Sequence, residues 1–170
     1  AQQGVGRGYV GARAVPGAGA YTRPRWSGRW TVACSEKEGC TLSWDHDEAA
    51  MRETVRRHDT IVRATLTTHG GYVFKTVGDA FCATFPRVSD AIAAALLAQR
   101  ALLKEDFSRV GGLRVRLALH TGEASERDGD YFGSAVNRAA RLLAIGNGGQ
   151  MLLSGVTAKL GVADLGPQAT

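Results

Sequence analysis

Two stretches of the chain carry residue types that do chemistry. In Phe74-Lys75-Thr76-Val77-Gly78-Asp79 a cation and a carboxylate lie four positions apart, with Gly78 just ahead of the acid. That spacing suits two strands joined by a tight turn, with the Asp79 carboxylate available there to a divalent metal. Further along, Asp130-Tyr131-Phe132-Gly133 leads into Asn137 and Arg141. The last two stand at i and i+4 of a segment that reads as a helix, so both side chains leave one face toward a common ligand. Together these are the parts needed to bind a purine triphosphate.

The elements that must position them follow from periodicity. Trp30 to Cys34 reads as a short buried strand, and Asp47 to Thr68 as a long helix with Met51, Val55, Ile61, Val62 and Leu66 at helical spacing. Gly70-Gly71 ends that helix. Tyr72 to Val77 and Ala80 to Phe85 form a hairpin around Gly78-Asp79, followed by a helix from Ser89 to Lys104 and a strand from Leu113 to Thr121. Gly122 to Gly129 reads as a polar, turn-rich connection. A helix from Ser134 to Ala144, a strand from Gln150 to Leu153 and a short helix from Thr157 to Leu160 complete the chain. The order βαββαβ implies a ferredoxin-like α+β core, a mainly antiparallel sheet with helices on one face.

At 170 residues, with 44% apolar and 22% charged content, the chain has the composition of one globular domain. The formal charge of +5 belongs to the first thirty residues, which hold Arg7, Arg13, Arg23, Arg25 and Arg29 and no acid; elsewhere 16 acidic residues balance the basic ones. A neutral body argues against a nucleic-acid footprint. Residues 1–29, rich in Gly, Ala and Arg, have the composition of a disordered arm, and residues 30–170 form the domain. Gly6-x-Gly8-x-x-Gly11 matches a dinucleotide fingerprint in letters only, because no apolar strand precedes it and no amphipathic helix follows. Cys34, Cys40 and Cys82 have neither the spacing of a zinc site nor the number of a disulfide framework. With no apolar run of membrane-spanning length and no signal-peptide pattern, the chain reads as cytoplasmic.

The motifs resemble those of the class III nucleotidyl cyclases, the adenylate and guanylate cyclase family, over residues 30 to 160. Lys75-Thr76-Val77-Gly78-Asp79 is similar to the family's hairpin, which implies Asp79 as one of two metal carboxylates and Lys75 as a reader of the purine. Arg116, in Arg116-Leu117-Ala118-Leu119-His120-Thr121-Gly122, resembles the family's strand that ends in a triphosphate-binding region. The segment from Asp130 to Arg141 resembles the one that holds a second base reader, Asp130, an Asn that orients the ribose, Asn137, and an Arg that stabilises the transition state, Arg141. The first metal motif departs from the family: Cys34-Ser35-Glu36-Lys37-Glu38-Gly39 stands where the family has a turn with an Asp ligand, so Glu36 takes that place and Lys37 replaces an apolar neighbour, putting positive charge beside the metals. The resemblance also implies two Mg²⁺ or Mn²⁺ ions per site, ATP as substrate, a homodimer with each site shared between chains, and a domain that stops short of the family's last strand.

The chemistry asks for these residue types on its own terms. Cyclisation of ATP is an in-line attack of the ribose 3′-oxygen on the α-phosphorus, so charge accumulates on attacking, bridging and leaving oxygens. Lys75 can donate to adenine N1 while Asp130 accepts from the 6-amino group; guanine presents the reverse pattern, and the pair therefore favours ATP. Taken singly, each residue has a plainer reading. Asp79 could be a turn former, Lys75 a solvated edge-strand charge, and Asn137 and Arg141 an exposed helical face. His120 reads as packed scaffold, and His46, His58 and His69 as surface. A cyclase-like domain that binds nucleotide or dimerises without turnover is the alternative function, favoured by Glu36-Lys37.

Overall fold

The computed structural model describes residues 28–38, 47–78 and 80–165. Strand β1 (Gly28–Glu38) extends beyond both ends of the expected Trp30 to Cys34 and begins within the segment read as an arm. Thr31 to Ser35 are all buried, because both faces of the sheet are covered here. Alternate residues divide between them: Ala33 joins one apolar cluster, Val32 and Cys34 the other.

Helix α1 (Glu48–Thr68) starts where Asp47 accepts a hydrogen bond from the Ala50 amide at 2.9 Å, satisfying one of the helix's orphan donors. Its buried stripe, Met51, Thr54, His58, Val62 and Leu66, keeps helical spacing. The helix ends at Gly70, with φ of +78°, and Gly71, whose amide donates to the Leu66 carbonyl at 2.9 Å. A Cβ on Gly71 would lie 2.5 Å from the Phe85 ring, so the turn depends on glycine.

β2 (Tyr72–Val77) and β3 (Ala80–Phe85) form the expected hairpin. Helix α2 (Val88–Leu103) and a 3₁₀ turn, Ser108–Val110, lead to β4 (Arg114–Arg127). β5 (Asp130–Phe132), α3 (Ser134–Ala144), β6 (Met151–Leu153) and α4 (Gly155–Leu165) follow. The sheet runs β2-β3-β1-β4-β5, all antiparallel, with β6 joining β4 in parallel.

The core order is βαββαβ, and its helices α1 and α2 share one face. There Val62, Leu66, Ala91, Ala94, Ala95 and Leu102 pack on Phe81, Phe85, Leu117 and Leu119. α4 packs against α2, and its Gly161 lies close to Ile92. α3, outside the six-element core, covers the opposite face, setting Ala135, Ala139 and Leu143 over Val32, Cys34, Ala118 and Ala124.

Residues 122–127, expected in an open connection, are the second half of β4. Beyond Thr121 the strand passes the edge of the core, so exposed Glu123 and Ser125 flank buried Ala124 and polarity masks the alternation. Asp128 and Gly129, with φ of 54° and 81°, turn the chain into β5. Positive φ at both turn residues matches strand twist and explains the Asp-Gly pair.

Candidate active site

The face under α3 holds most of the polar residues singled out by sequence. Across the sheet, Lys75 stands opposite Cys82, Cys82 opposite Cys34, and Cys34 opposite Ala118. Two residues further along β1, Glu36 lies between Ala80 of β3 and Arg116 of β4. At roughly 3.3 Å per residue the two rows are about 7 Å apart. The β2–β3 register shifts between Val73 and Lys75, a bulge at Phe74 that re-aims the side chains beside it.

Lys75 Nζ lies 3.7 Å from Asp130 Oδ2, both side chains being about a third exposed or less. Several contacts hold Asp130 in place. Its Oδ1 accepts from the Tyr131 amide at 2.8 Å, and Tyr131 is buried among Trp30, Tyr72 and Phe74, with ring centroids 5.7, 6.1 and 5.2 Å away. Such aromatic pairs each contribute roughly 0.5–1.5 kcal/mol beyond burial. The Tyr72 hydroxyl donates to the Gly129 carbonyl at 3.3 Å, tying β2 to the turn before Asp130. Gly133, with φ of +123°, then swings the chain into α3. On that helix Ala135 and Ala139 face inward while Asn137 and Arg141, one turn apart, are exposed.

Arg116 Nε donates to Glu36 Oε2 at 3.1 Å, Nη2 donates to the same oxygen, and Nη1 donates to the Gly146 carbonyl at 3.1 Å. Glu36 is therefore in a strand and not in a turn after one, because β1 pairs with β4 out to Glu38 and Arg114. Two pairs are thus assembled, Lys75 with Asp130 and Glu36 with Arg116. Asn137 and Arg141 make no hydrogen bond or ion pair with these four. Asp79 lies outside the described residues. Among the described residues no three His, Cys, Asp or Glu side chains converge as a metal site. The Glu36 carboxylate is a hard oxygen donor of the kind Mg²⁺ and Mn²⁺ take.

Lys37 does not bring its charge to this face. Strand alternation turns it beneath α1, where its side chain is fully buried and its ammonium lies 3.1 Å from Asp59 Oδ1 and 3.5 Å from His58 Nδ1. His58, expected on the surface, is fully buried and meets Asp59 Oδ1 at 2.8 Å. Burial pushes the Asp59 carboxyl up, but its bonds to His58 and Lys37 outweigh this and hold it below its ordinary value. His69 is half-buried, its Nδ1 2.8 Å from the Thr65 carbonyl. His120 is scaffold, its Nδ1 2.8 Å from Ser154 Oγ, and burial, helped by Arg138, pushes its pKa down. His46 lies outside the described residues.

The family described as "Adenylate and Guanylate cyclase catalytic domain" matches residues 31–165, and the chain belongs to it. An uncharacterized protein of Mycobacterium tuberculosis is 38% identical over 136 residues, covering 79% of this chain and 45% of that protein. The adenylate cyclase of Mycosarcoma maydis is 34% identical over 152 residues, covering 75% of this chain and 6% of that protein. The chain thus spans less than half the length of these relatives. Among solved structures, one from a study of Trypanosoma brucei adenylate cyclases in their monomeric state has a TM-score of 0.72 at 24% identity, covering 80% of this chain and 76% of that one. An adenylate/guanylate cyclase/hydrolase from Silicibacter pomeroyi has a TM-score of 0.71 at 24% identity, covering 84% of each chain. These structures share the fold. No helix among the described residues is long and apolar enough to cross a membrane.

Proposed function

We propose that the chain is an adenylate cyclase domain, converting ATP to 3′,5′-cyclic AMP and pyrophosphate in the cytoplasm at a site shared across a homodimer. The observation that carries this reading is the Lys75–Asp130 pair, 3.7 Å apart on one face though 55 residues apart in sequence. A donor beside an acceptor fits the N1 and 6-amino edge of adenine and opposes that of guanine. Membership of the cyclase family and 34% identity to a fungal adenylate cyclase support it.

In this reading Lys75 donates to N1, Asp130 accepts from the 6-amino group, and Asn137 orients the ribose so that the 3′-oxygen lies in line with the α-phosphorus. Arg141 places fixed positive charge where the α-phosphate gains negative charge, worth roughly 3–4 kcal/mol for a preorganised donor. Arg116 binds the triphosphate. Glu36 and Asp79 of the opposite chain would hold two Mg²⁺ or Mn²⁺ ions, which when bound favour ionisation of the hydroxyl and neutralise the triphosphate. A Glu-Arg pair must give up one contact before Glu36 meets a cation and Arg116 a phosphate.

That same contact favours a second reading, a domain that binds nucleotide without turning it over. Incubating the purified chain with ATP or GTP and either metal separates the two. The proposal expects cyclic AMP from ATP, with Mg²⁺ or Mn²⁺ required and GTP much poorer. Saturable ATP binding with no cyclic product under either metal would establish the second reading instead.

A further inference from the structure

We propose that Cys34 and Cys82 form a peroxide-sensitive dithiol that closes into a disulfide across β1 and β3, directly beside Lys75. The two sulfurs are 2.7 Å apart, and the residues are register partners in antiparallel strands. Opposed residues in such a ladder have Cα atoms about 4.5–5.5 Å apart. That lies within the roughly 4.4–6.8 Å that disulfides span, so the backbone is already placed for the bond.

The two thiols are not equivalent. Cys34 is 2% exposed, whereas Cys82 is half-buried on the site face, so a small oxidant reaches Cys82 first. The hydrogen bond with Cys34, against the effect of burial and aided by the Lys75 ammonium, holds the Cys82 thiol below its ordinary value; Asp130 opposes this. A thiol that solvent reaches, with a second thiol 2.7 Å away, is the arrangement that oxidises reversibly to a disulfide. Packing alone accounts for Cys34 as a small apolar residue. Cys82 packs on the same cluster but keeps part of its surface open beside the Lys75–Asp130 pair.

The oxidant is a hydroperoxide. The Cys82 sulfur attacks one peroxide oxygen, the O–O bond breaks, and Cys82 becomes a sulfenic acid while the released oxygen takes the thiol proton and leaves as water or an alcohol. The Cys34 sulfur then attacks the sulfenic sulfur, an S–S bond forms, the S–O bond breaks, and the hydroxyl leaves as water with the Cys34 proton. The bond ties the strand bearing Glu36 to the strand that follows Asp79. Its formation is independent of the proposed activity.

The test uses the full chain with the third cysteine replaced, Cys40→Ser, treated with hydrogen peroxide and then mapped by mass spectrometry. The expected result is loss of both thiols, a mass decrease of two hydrogens, a linked peptide pair containing Cys34 and Cys82, and full reversal by dithiothreitol. Adding Cys34→Ser leaves Cys82 as a sulfenic acid that dimedone captures. The same linked peptide is expected from the unsubstituted chain, which keeps the test valid if a variant folds poorly. Survival of both thiols, their separate oxidation to sulfinic acids, or a linkage to Cys40 in place of this pair overturns the proposal.

Discussion

Glu36 and Lys37 are neighbours in β1, and each meets an opposite charge, yet the two ion pairs are physically different objects. Lys37 is sealed beneath α1 with His58, its side chain wholly removed from water, while its partner Asp59 is 36% exposed. Glu36 lies on the other face, over a third exposed, with an Arg116 that is itself 22% exposed. Losing a partner of the fully buried Lys37 leaves a desolvated charge poorly compensated, whereas Glu36 and Arg116 both keep contact with water and their pair contributes less. The α1 face therefore holds charge that the fold depends on. The α3 face holds charge that a ligand can take over at little cost, which is what a site for metal and triphosphate needs.

Changes on the two faces should accordingly separate activity from stability. The largest effect is expected at Arg141→Ala, where the proposed role of a fixed charge at the α-phosphate predicts a kcat lower by roughly 10²–10³. Because Arg141 is exposed, the melting temperature should stay within a degree or two of the parent, and steady-state kinetics with a thermal melt check both. A melt lowered in parallel with kcat would break the distinction.

Next in size is Asp59→Ala, which removes a carboxylate 3.1 Å from the buried Lys37 ammonium and should cost about 1.5–3 kcal/mol in denaturant unfolding. Lys37→Met with Asp59→Ala should recover most of that loss, since an apolar side chain of similar length fills the space. Failure of the double variant to recover stability would mean that the cluster does more than neutralise itself.

Glu36→Gln keeps side-chain length and removes the charge. Stability should change by less than about 1 kcal/mol. Cyclase activity should fall at least about tenfold and demand more Mg²⁺ or Mn²⁺, as expected for a lost hard ligand. An unaltered metal dependence would remove Glu36 from the metal site.

The smallest effect concerns pH. Burial lowers the pKa of His120 in the fold, so the unfolded chain takes up a proton first, near pH 6.5. Its contribution to stability is complete above that pH and is lost as pH falls through the folded value. His120→Gln should therefore flatten the decline in melting temperature just below pH 6.5. An unchanged decline would place the titrating group elsewhere.

How much of this was legible in sequence depended on distance along the chain. Local periodicity placed α1, α2 and α3 to within a residue or two, because each buried stripe repeats within its own helix. The hairpin was legible from its own alternation, and the assembled fold brings its Lys75 to within 3.7 Å of Asp130. What escaped was set by pairing between distant strands. β1 is held in extended form to Glu38 by Arg114 to Ala118 on one side and, as far as Glu36, by Ala80 and Phe81 on the other, and nothing local in Ser-Glu-Lys-Glu announces a strand. Once that strand is extended, Lys37 must point away from Glu36, and the charge expected to repel metals turns out to support the fold. The meeting of Cys34 and Cys82 likewise depends on β1–β3 register across 48 positions.

The central claim is that the α3 face of one chain completes a site begun by the carboxylates of another. Asp79→Ala and Arg141→Ala, each folded, dimeric and inactive alone, can be co-expressed with different tags and the mixed dimers isolated. One site in each mixed dimer then carries both lesions and the other carries neither, so activity should return to about half that of the parent dimer. Verified mixed dimers that remain as inactive as either variant would contradict the shared site and the account of this face with it.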